Sequence, residues 1–314
     1  MKTVTFPGFG LEFELNPVLW SITDHFGVHW YGAIIAAGFL LAVYWGCRQC
    51  NRFGVTQDDV FDVLIATVPS AIVGARLYYV IFEFDSYLVP GDPGATLTKI
   101  IRIWDGGLAI YGGLIAAVLA GYIVCRVKKI SFLAVADLAS VGFLIGQSIG
   151  RWGNFVNVEA FGGVTDVAWR MAGPNVANYL KRTGQIDESV FEQIVDGTLG
   201  VHPTFFYESV WNLIGILLLV FVVKKFRKFD GQMFFGYMIW YGIGRFWIEG
   251  LRTDSLYVPG TELRISQAVA IVTFAVGALL TVYYLFVKKP NLDDLFVNQV
   301  KAAKEASEDG GENT

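Results

Sequence analysis

Charged residues and cysteines are scarce in this chain of 314 residues. Asp, Glu, Lys and Arg make up only 17% of it, whereas soluble domains carry about 25%. Because 54% of the residues are hydrophobic and the mean hydropathy is +0.49, the composition excludes a single water-facing core and predicts a membrane-embedded protein. The three cysteines include one lone Cys47-x-x-Cys50 pair, which favours packing thiols over a metal or redox site.

Several other patterns are missing. The chain has no basic patch of the kind that binds nucleic acid, and its net charge of −4 says little about partners, since charge in a membrane protein follows topology. Residues 1–20 lack a cationic segment followed by an apolar one, so we expect no cleavable signal peptide. No internal repeat is visible, which disfavours an inverted-repeat transporter.

Long apolar runs are the main feature that is present. A helix needs about 20 residues to cross the roughly 30 Å of membrane hydrocarbon, and seven runs approach that length. The fold class predicted is therefore an all-α integral membrane protein with seven transmembrane helices. The spans are predicted near residues 30–47, 60–82, 108–125, 132–149, 210–223, 233–248 and 268–287.

Basic residues are concentrated in every second loop between these runs. Lys and Arg follow the first, third, fifth and seventh runs, for example at Arg48, Arg126, Lys224 and Lys288. The positive-inside rule assigns such loops to the cytoplasm. We therefore predict an outer N-terminus and a cytoplasmic C-terminus.

Two regions lie outside the predicted spans. Residues 155–206 are long, polar and interrupted by Gly and Pro, and ordered long loops are more often functional than idle. We expect them to form a small extracytoplasmic head. The polar tail, residues 291–314, is predicted to be mostly disordered in the cytoplasm.

Arg151 ends the fourth apolar run. A cation near the hydrocarbon is costly and marks a functional site by default, and a guanidinium can grip a phosphate through two hydrogen bonds. With Asn154 and Glu159 close in sequence, Arg151 suggests a phospholipid headgroup site. A snorkelling interfacial arginine is the alternative. Asp137 lies about 21 Å earlier along the helix, so we expect it to serve packing or the inner end.

A second polar set is spaced at helical intervals. Tyr241, Arg245 and Glu249 recur every four residues and therefore share one helix face. A structural Arg–Glu pair is one interpretation. A polar stripe facing the interior of a membrane bundle favours a functional one.

The start of the third run is rich in glycine. It reads Trp104-Asp105-Gly106-Gly107-Leu108-Ala109-Ile110-Tyr111-Gly112-Gly113, and the glycines permit close approach of a backbone or a ligand. Tyr111 fits either an acid–base role or an interfacial belt. The stripe Gly113, Ala117 and Gly121 favours helix packing.

At these motifs the chain resembles the prolipoprotein diacylglyceryl transferase family. Six motifs occur in order: His29-Trp30-Tyr31-Gly32; Gly74-Ala75-Arg76; Asp105-Gly106-Gly107 with Tyr111-Gly112-Gly113-Leu114; Gly150-Arg151-Trp152-Gly153-Asn154-Phe155 through Glu159; His202-Pro203-Thr204 with Tyr207-Glu208; and Tyr241 to Arg252.

The resemblance implies an enzyme of the first step of bacterial lipoprotein maturation. Such an enzyme moves the diacylglyceryl group of phosphatidylglycerol onto the lipobox cysteine thiol of a preprolipoprotein and releases glycerol 1-phosphate. It implies no cofactor and no metal, and a multi-pass location in the bacterial cytoplasmic membrane. Residues 1–290 would form the catalytic membrane domain.

The resemblance also implies roles for individual residues. Arg151 would hold the lipid phosphate, and Arg245 would contact a second phosphate or the leaving group. The catalytic set implied is Arg245, Tyr111, Glu249 and Tyr241, and the substrate-binding set is Arg151, Asn154, Glu159, Tyr31, Gly112 and Gly113. Some family members carry a histidine, proposed to activate the thiol, where this chain has Tyr111, so the identity of the thiol base is open.

A membrane transporter or lipid flippase with an arginine-lined cavity is the alternative from another class. Such a protein would also place Arg151 and Arg245 in a cavity. It would carry polar residues through to the cytoplasmic side, whereas the candidates here cluster toward the outer side.

Overall fold

Helices dominate the computed structural model, which describes residues 1–23, 26–253, 257 and 260–311. In chain order, its α-helices are α1 (Trp30–Gln49), α2 (Gln57–Phe82), α3 (Phe84–Tyr87), α4 (Pro93–Ile101), α5 (Ile110–Lys128), α6 (Phe132–Asn157), α7 (Pro174–Arg182), α8 (Glu188–Val195), α9 (Thr204–Leu217), α10 (Gln232–Leu251), α11 (Ile265–Val282) and α12 (Phe296–Gly311).

Within these ranges, six helical segments are long and apolar enough to cross a membrane. They correspond to α1, α2, α5, α6, α9 and α11, with α1, α9 and α11 extended by short 3-10 or π-helical turns at their C-terminal ends. This confirms a mainly helical membrane protein. The sixth run predicted, 233–248, forms helix α10 (Gln232–Leu251), which is not among these six segments and carries Arg245 and Glu249.

The chain divides into two compact units. The first comprises Met1–Trp45 and Asp137–Asn291, and the second comprises Gly46–Ala136 and Leu292–Thr314.

Strands occur in the first unit, where the sequence predicted helices and loops alone. β1 (Lys2–Phe6) pairs with β2 (Leu11–Leu15), β3 (Val18–Thr23) with β4 (Phe26–His29), and β5 (Val164–Thr165) with β6 (Gly200–Val201), all antiparallel. The prediction missed them because each is only two to six residues long.

The first residues fold together with residues 155–206. Thr5 and Ala172 exchange two backbone hydrogen bonds, of 2.9 and 2.8 Å. The fully buried Val4 joins one apolar cluster with Phe161, Leu180 and Ile194. The polar loop therefore has a core of its own, and the N-terminal hairpin completes it.

In the second unit, α2 and α5 pack at close range. A Cβ on Gly113 would lie 3.1 Å from the Ala71 carbonyl oxygen, and one on Gly121 would lie 3.3 Å from the Thr67 methyl. The small-residue stripe of α5 is thus a packing surface, as predicted.

The tail differs from the predicted disorder, because Phe296–Gly311 forms α12. Leu295 is buried, and Phe296 and Val297 approach Gly54 within the same unit. These apolar residues at the start of the tail give α12 a docking point that its polar composition conceals.

Two reciprocal contacts fix α9 in the first unit. Ser148 of α6 and Ser209 of α9 each donate a hydroxyl hydrogen bond of 2.9 Å to the other's carbonyl oxygen. Trp211 of α9 and Trp240 of α10 stack with ring centroids 4.2 Å apart. Each indole also donates to the other's carbonyl, at 3.1 and 3.0 Å.

Asp137 joins α6 to the start of α10. Its fully buried carboxylate accepts hydrogen bonds of 2.9 Å from the backbone N–H groups of Gly231 and Phe234. It thereby satisfies donors that the first turn of a helix otherwise leaves open. This contact agrees with the packing role expected for Asp137.

We expect Asp137→Ala to lower stability by about 3 kcal/mol, because it leaves two buried backbone N–H groups unsatisfied. Asp137→Asn keeps one acceptor oxygen and should lose less. Thermal melts of the purified protein measure both, with Asp58→Ala at an exposed position as the control. Equal melting temperatures for Asp137→Ala and wild type would contradict this role.

Candidate active site

Three helices of the first unit bring the predicted polar residues together. Arg151 and Asn154 lie at the C-terminal end of α6, and Arg245 and Glu249 lie on α10. Between them α9 contributes Glu208, one residue before Ser209. The Ser148–Ser209 and Trp211–Trp240 contacts therefore fix the positions of α6 and α10 relative to α9, and with them these charged side chains.

Glu208 lies between the two arginines. Its Oε1 is 2.5 Å from Nη2 of Arg151, and its Oε2 is 3.7 Å from Nη1 of Arg245. Arg245 Nη2 in turn lies 2.7 Å from Oε2 of Glu249. Positive and negative groups thus alternate along one row, and each guanidinium has a carboxylate neighbour.

Burial strengthens these pairs. The side chains of Glu208 and Glu249 are 9% and 3% exposed, whereas those of Arg151 and Arg245 are 22% and 17% exposed. Charges taken out of water must be paired to be tolerated. The two arginine side chains are therefore the more accessible members of this row.

A second branch continues from Arg151 to Glu159. Arg151 Nη1 donates to Oδ1 of Asn154 at 3.3 Å, and Asn154 Nδ2 donates to Oε1 of Glu159 at 3.1 Å. The chain reverses here through Val158 and Ala160, whose φ angles of 52° and 57° are left-handed. Non-glycine residues in that region are strained, and such strain is concentrated at functional sites.

The two predicted tyrosines of this unit lie on the same helices or against them. The ring of Tyr31 on α1 covers Gly153, where an added Cβ would lie 2.7 Å from Tyr31 Cδ2. Tyr241 stacks on Tyr237, with centroids 5.8 Å apart. The hydroxyl of Tyr237 accepts a hydrogen bond of 3.0 Å from Gln147.

Tyr111, Gly112 and Gly113 belong to the second unit. They form the first turn of α5, where Tyr111 is 44% exposed. Both glycines are buried and face α2, Gly112 beside Tyr78 and Gly113 beside Ala71 and Ala75. Their contacts in the structure are packing contacts that fix the start of α5.

Glu208 is the residue that sequence reasoning left out of the site. It stands in the fifth motif of the resemblance but in neither the catalytic nor the substrate-binding set. The available signal is an acidic residue just before the fifth apolar run. Helix α9 with its π-helical extension, Thr204–Val223, is long and apolar enough to span a membrane, yet it buries this carboxylate. A buried acid in such a helix requires a cationic partner.

His202 lies two residues before α9, beside Tyr207 in the first turn of that helix. Its Nδ1 is 3.2 Å from the Tyr207 hydroxyl, which also accepts a hydrogen bond of 2.6 Å from Trp169 Nε1. Burial lowers the pKa of His202, because the protonated ring loses hydration. His202 is therefore neutral at pH 7.

Among the described residues, no group of three or more His, Cys, Asp or Glu side chains is placed to hold a metal ion. The polar atoms of the site are instead guanidinium, carboxylate and amide groups, which recognise an anion with attached hydroxyl groups.

Apolar helices that carry a row of alternating arginines and buried glutamates define a polytopic membrane protein with a charged cluster between its helices. The family model of prolipoprotein diacylglyceryl transferase matches residues 17–283. The chain belongs to this family.

Curated relatives agree along nearly their whole length. A protein of Lysinibacillus sphaericus is 44% identical over 280 residues, which are 89% of this chain and 96% of the relative. Relatives from Bacillus velezensis and Finegoldia magna are 38% and 41% identical, covering 86% and 82% of this chain and 92% and 91% of their own lengths. All three are named phosphatidylglycerol–prolipoprotein diacylglyceryl transferase.

These comparisons confirm the resemblance and the predicted class of enzyme, a transferase of lipoprotein biosynthesis. They do not favour the transporter or flippase alternative.

Removal of the Glu208 carboxylate should leave the two arginines without their shared partner. We expect Glu208→Ala to lower stability by about 3 kcal/mol, the usual cost of breaking a buried ion pair. Millimolar inorganic phosphate should restore part of the melting temperature, because the anion replaces the carboxylate. Wild-type protein serves as the control for phosphate, and a Glu208→Ala protein that melts like wild type would refute the bridging role.

The lowered pKa of His202 predicts a pH dependence with a definite sign. The unfolded chain, with an ordinary histidine pKa of about 6.5, binds the proton more readily than the folded one. Stability should therefore decline as the pH falls below about 6.5, until the folded ring is protonated as well. Melting curves between pH 5 and 8 should show a shallower decline for His202→Gln, with His29→Gln as control. If His202→Gln and wild type lose stability equally between pH 8 and pH 5, His202 is not the source of the pH dependence.

Proposed function

We propose that this chain transfers the diacylglyceryl group of phosphatidylglycerol to the lipobox cysteine thiol of preprolipoproteins and releases glycerol 1-phosphate. The observation that carries the proposal is the placement of Arg151 and Arg245 on either side of the buried Glu208 carboxylate. The family and the names of the relatives support the same activity.

We further propose seven spans, with α10 as the one added to the six apolar segments. The polar residues of α10 that lower its hydropathy include Arg245 and Glu249, which face neighbouring protein groups. A helix of this kind is tolerated in a membrane when its polar face is turned inward. The protein then lies in the bacterial inner membrane with its basic loops on the cytoplasmic side. Residues 155–206, which begin at the end of α6, lie on the opposite side and form an extracytoplasmic head.

Arg151 binds the phosphate of phosphatidylglycerol, and Arg245 stabilises the leaving group. Both guanidiniums already contact carboxylate oxygens, and a phosphate oxygen accepts hydrogen bonds in the same geometry. The phosphodiester carries one negative charge and the departing phosphate monoester carries more. The arginines therefore stabilise the transition state more strongly than the bound lipid, which is the requirement for catalysis.

The thiol sulfur attacks the C3 carbon of the diacylglyceryl glycerol, forming the C–S bond as the C–O bond to phosphate breaks. A free thiol has a pKa near 8.5, and the thiolate is the reactive form. The thiol proton leaves with the phosphate or reaches solvent. Tyr111 orients a substrate group or assists this proton transfer.

The remaining residues support binding. Asn154 accepts a hydrogen bond from Arg151 Nη1 while Glu208 contacts Nη2, and Glu159 holds Asn154 in turn. Glu249 holds Arg245. Tyr31 and Tyr241 contribute hydroxyl groups for the lipid headgroup. Gly112 and Gly113 give the start of α5 its close approach to α2.

The activity is tested with purified protein in phosphatidylglycerol liposomes and a lipobox peptide. Wild-type protein should increase the peptide mass by one diacylglyceryl group and release one glycerol phosphate per peptide. Arg151→Ala should reduce the rate by at least about 100-fold, as expected for loss of a charged oxyanion contact.

Arg182→Ala is the matched control, because Arg182 is an exposed arginine at the end of α7. It should retain wild-type turnover. Folded wild-type protein that never modifies the peptide would refute the transferase proposal, and lipid translocation should then be measured in the same liposomes.

A further inference from the structure

Arg76 is a buried arginine that pairs with no carboxylate in the part of the chain that the structure describes. It lies on α2 in the second unit and is only 6% exposed. Each of its three guanidinium nitrogens donates hydrogen bonds, and the acceptors are backbone carbonyl oxygens and one tyrosine hydroxyl. This differs from Arg151 and Arg245, which contact glutamates.

The first group of acceptors lies at the C-terminal end of α4. Arg76 Nε donates to the Ile100 carbonyl at 2.8 Å, and Nη2 donates to the carbonyls of Lys99 and Arg102 at 2.8 and 2.9 Å. The last carbonyls of a helix have no partner within the helix and carry its partial negative charge. The helix end therefore takes the place of a counter-ion.

The second group lies in the turn that follows. Arg76 Nη1 donates to the carbonyls of Gly106 and Gly107 at 2.5 and 2.9 Å and to the Tyr87 hydroxyl at 2.9 Å. The two glycines have φ angles of 88° and 75°. A Cβ on Gly107 would lie 2.5 Å from the Tyr87 hydroxyl and 2.6 Å from Arg76 Nη1, so this turn requires glycine.

The turn leads directly into α5. Two residues after Gly107, the Ala109 N–H donates to the carbonyl of Ala75, the neighbour of Arg76, at 3.0 Å. Tyr111 then lies in the first turn of α5. Arg76 and Ala75 together fix the path of the chain on its way to Tyr111.

We propose that Arg76 is a positioning residue for the transfer reaction, because its guanidinium holds residues 99–107 in the turn that places Tyr111. The proposal rests on the function proposed above. A guanidinium offers five N–H groups in a rigid planar fork, whereas a lysine ammonium offers three on a flexible stem. Arg76→Lys therefore keeps the charge and loses the simultaneous contacts to the α4 end and to the glycine turn.

The first experiment compares Arg76→Lys with wild type in the liposome assay. We expect kcat to fall about tenfold, since small displacements of a reacting group cost one to two orders of magnitude, while KM for the peptide changes less than twofold. Arg102→Lys is the matched control, because its side chain is exposed while its carbonyl still accepts from Arg76. Wild-type activity in Arg76→Lys would overturn the proposal.

Hydrogen–deuterium exchange provides a readout that does not depend on turnover. Arg76→Lys should accelerate exchange in peptides covering residues 99–110, while peptides from α9 and α10 exchange at the wild-type rate. Unchanged exchange in residues 99–110 would show that the fork does not hold the turn and would overturn the proposal. If wild type is inactive, the proposed function fails, and exchange alone decides whether Arg76 holds this turn.

A double-mutant cycle with Tyr111→Phe decides whether Arg76 acts through Tyr111. If it does, Arg76→Lys should lower kcat less than twofold in the Tyr111→Phe protein, because the hydroxyl group that Arg76 positions is already absent. A tenfold loss repeated in the Tyr111→Phe protein would overturn the proposal, whatever the activity of the single Tyr111→Phe variant.

Discussion

Glu208 is a carboxylate buried among apolar helices, and it is acceptable there only because Arg151 and Arg245 lie beside it. The ion pairs in turn need α6, α9 and α10 at fixed separations. The hydroxyl exchange between Ser148 and Ser209 and the stacked Trp211–Trp240 pair provide them. Each of these contacts satisfies its own polar groups, so the helices are held together by contacts that lipid cannot replace.

The chain stabilises the half-buried Arg151 and the buried Arg76 in two different ways, and the difference bears on function. Arg151 contacts one side-chain carboxylate, that of Glu208, and one side-chain amide, that of Asn154, and side chains of this kind can move when an anion binds. Arg76 contacts backbone carbonyls, which cannot be exchanged without unfolding a turn. The first arrangement is suited to binding a substrate, and the second is suited to holding a shape. An arginine in an apolar helix is thus not a single signal, because its hydrogen-bond partners indicate whether it is suited to binding or to holding the backbone.

The sequence predicted the features that depend on one residue type repeated along the chain. Six apolar segments of the required length form helices, and the small-residue stripe of α5 packs as expected. The sequence did not predict contacts that form between segments far apart in the chain. The partnership of Glu208 with Arg245 arises from α9–α10 packing, and Val4 is buried because residues 155–206 form a core beside it. The docking of α12 involves Leu295, Phe296 and Val297, at the start of a mostly polar tail.

For the proposed transfer reaction, the summed charge of the four site side chains accounts for release of the glycerol phosphate product. Arg151 and Arg245 are balanced by Glu208 and Glu249, so the four side chains carry no net charge before lipid binds. A bound phosphodiester adds one negative charge, and the arginines must turn partly from Glu208 toward the phosphate. The leaving phosphate monoester adds a second negative charge. The two guanidiniums cannot fully neutralise it, because they also pair with Glu208 and Glu249. Glu208 then competes for its original partners, and this competition favours departure of glycerol 1-phosphate over a tightly held product complex.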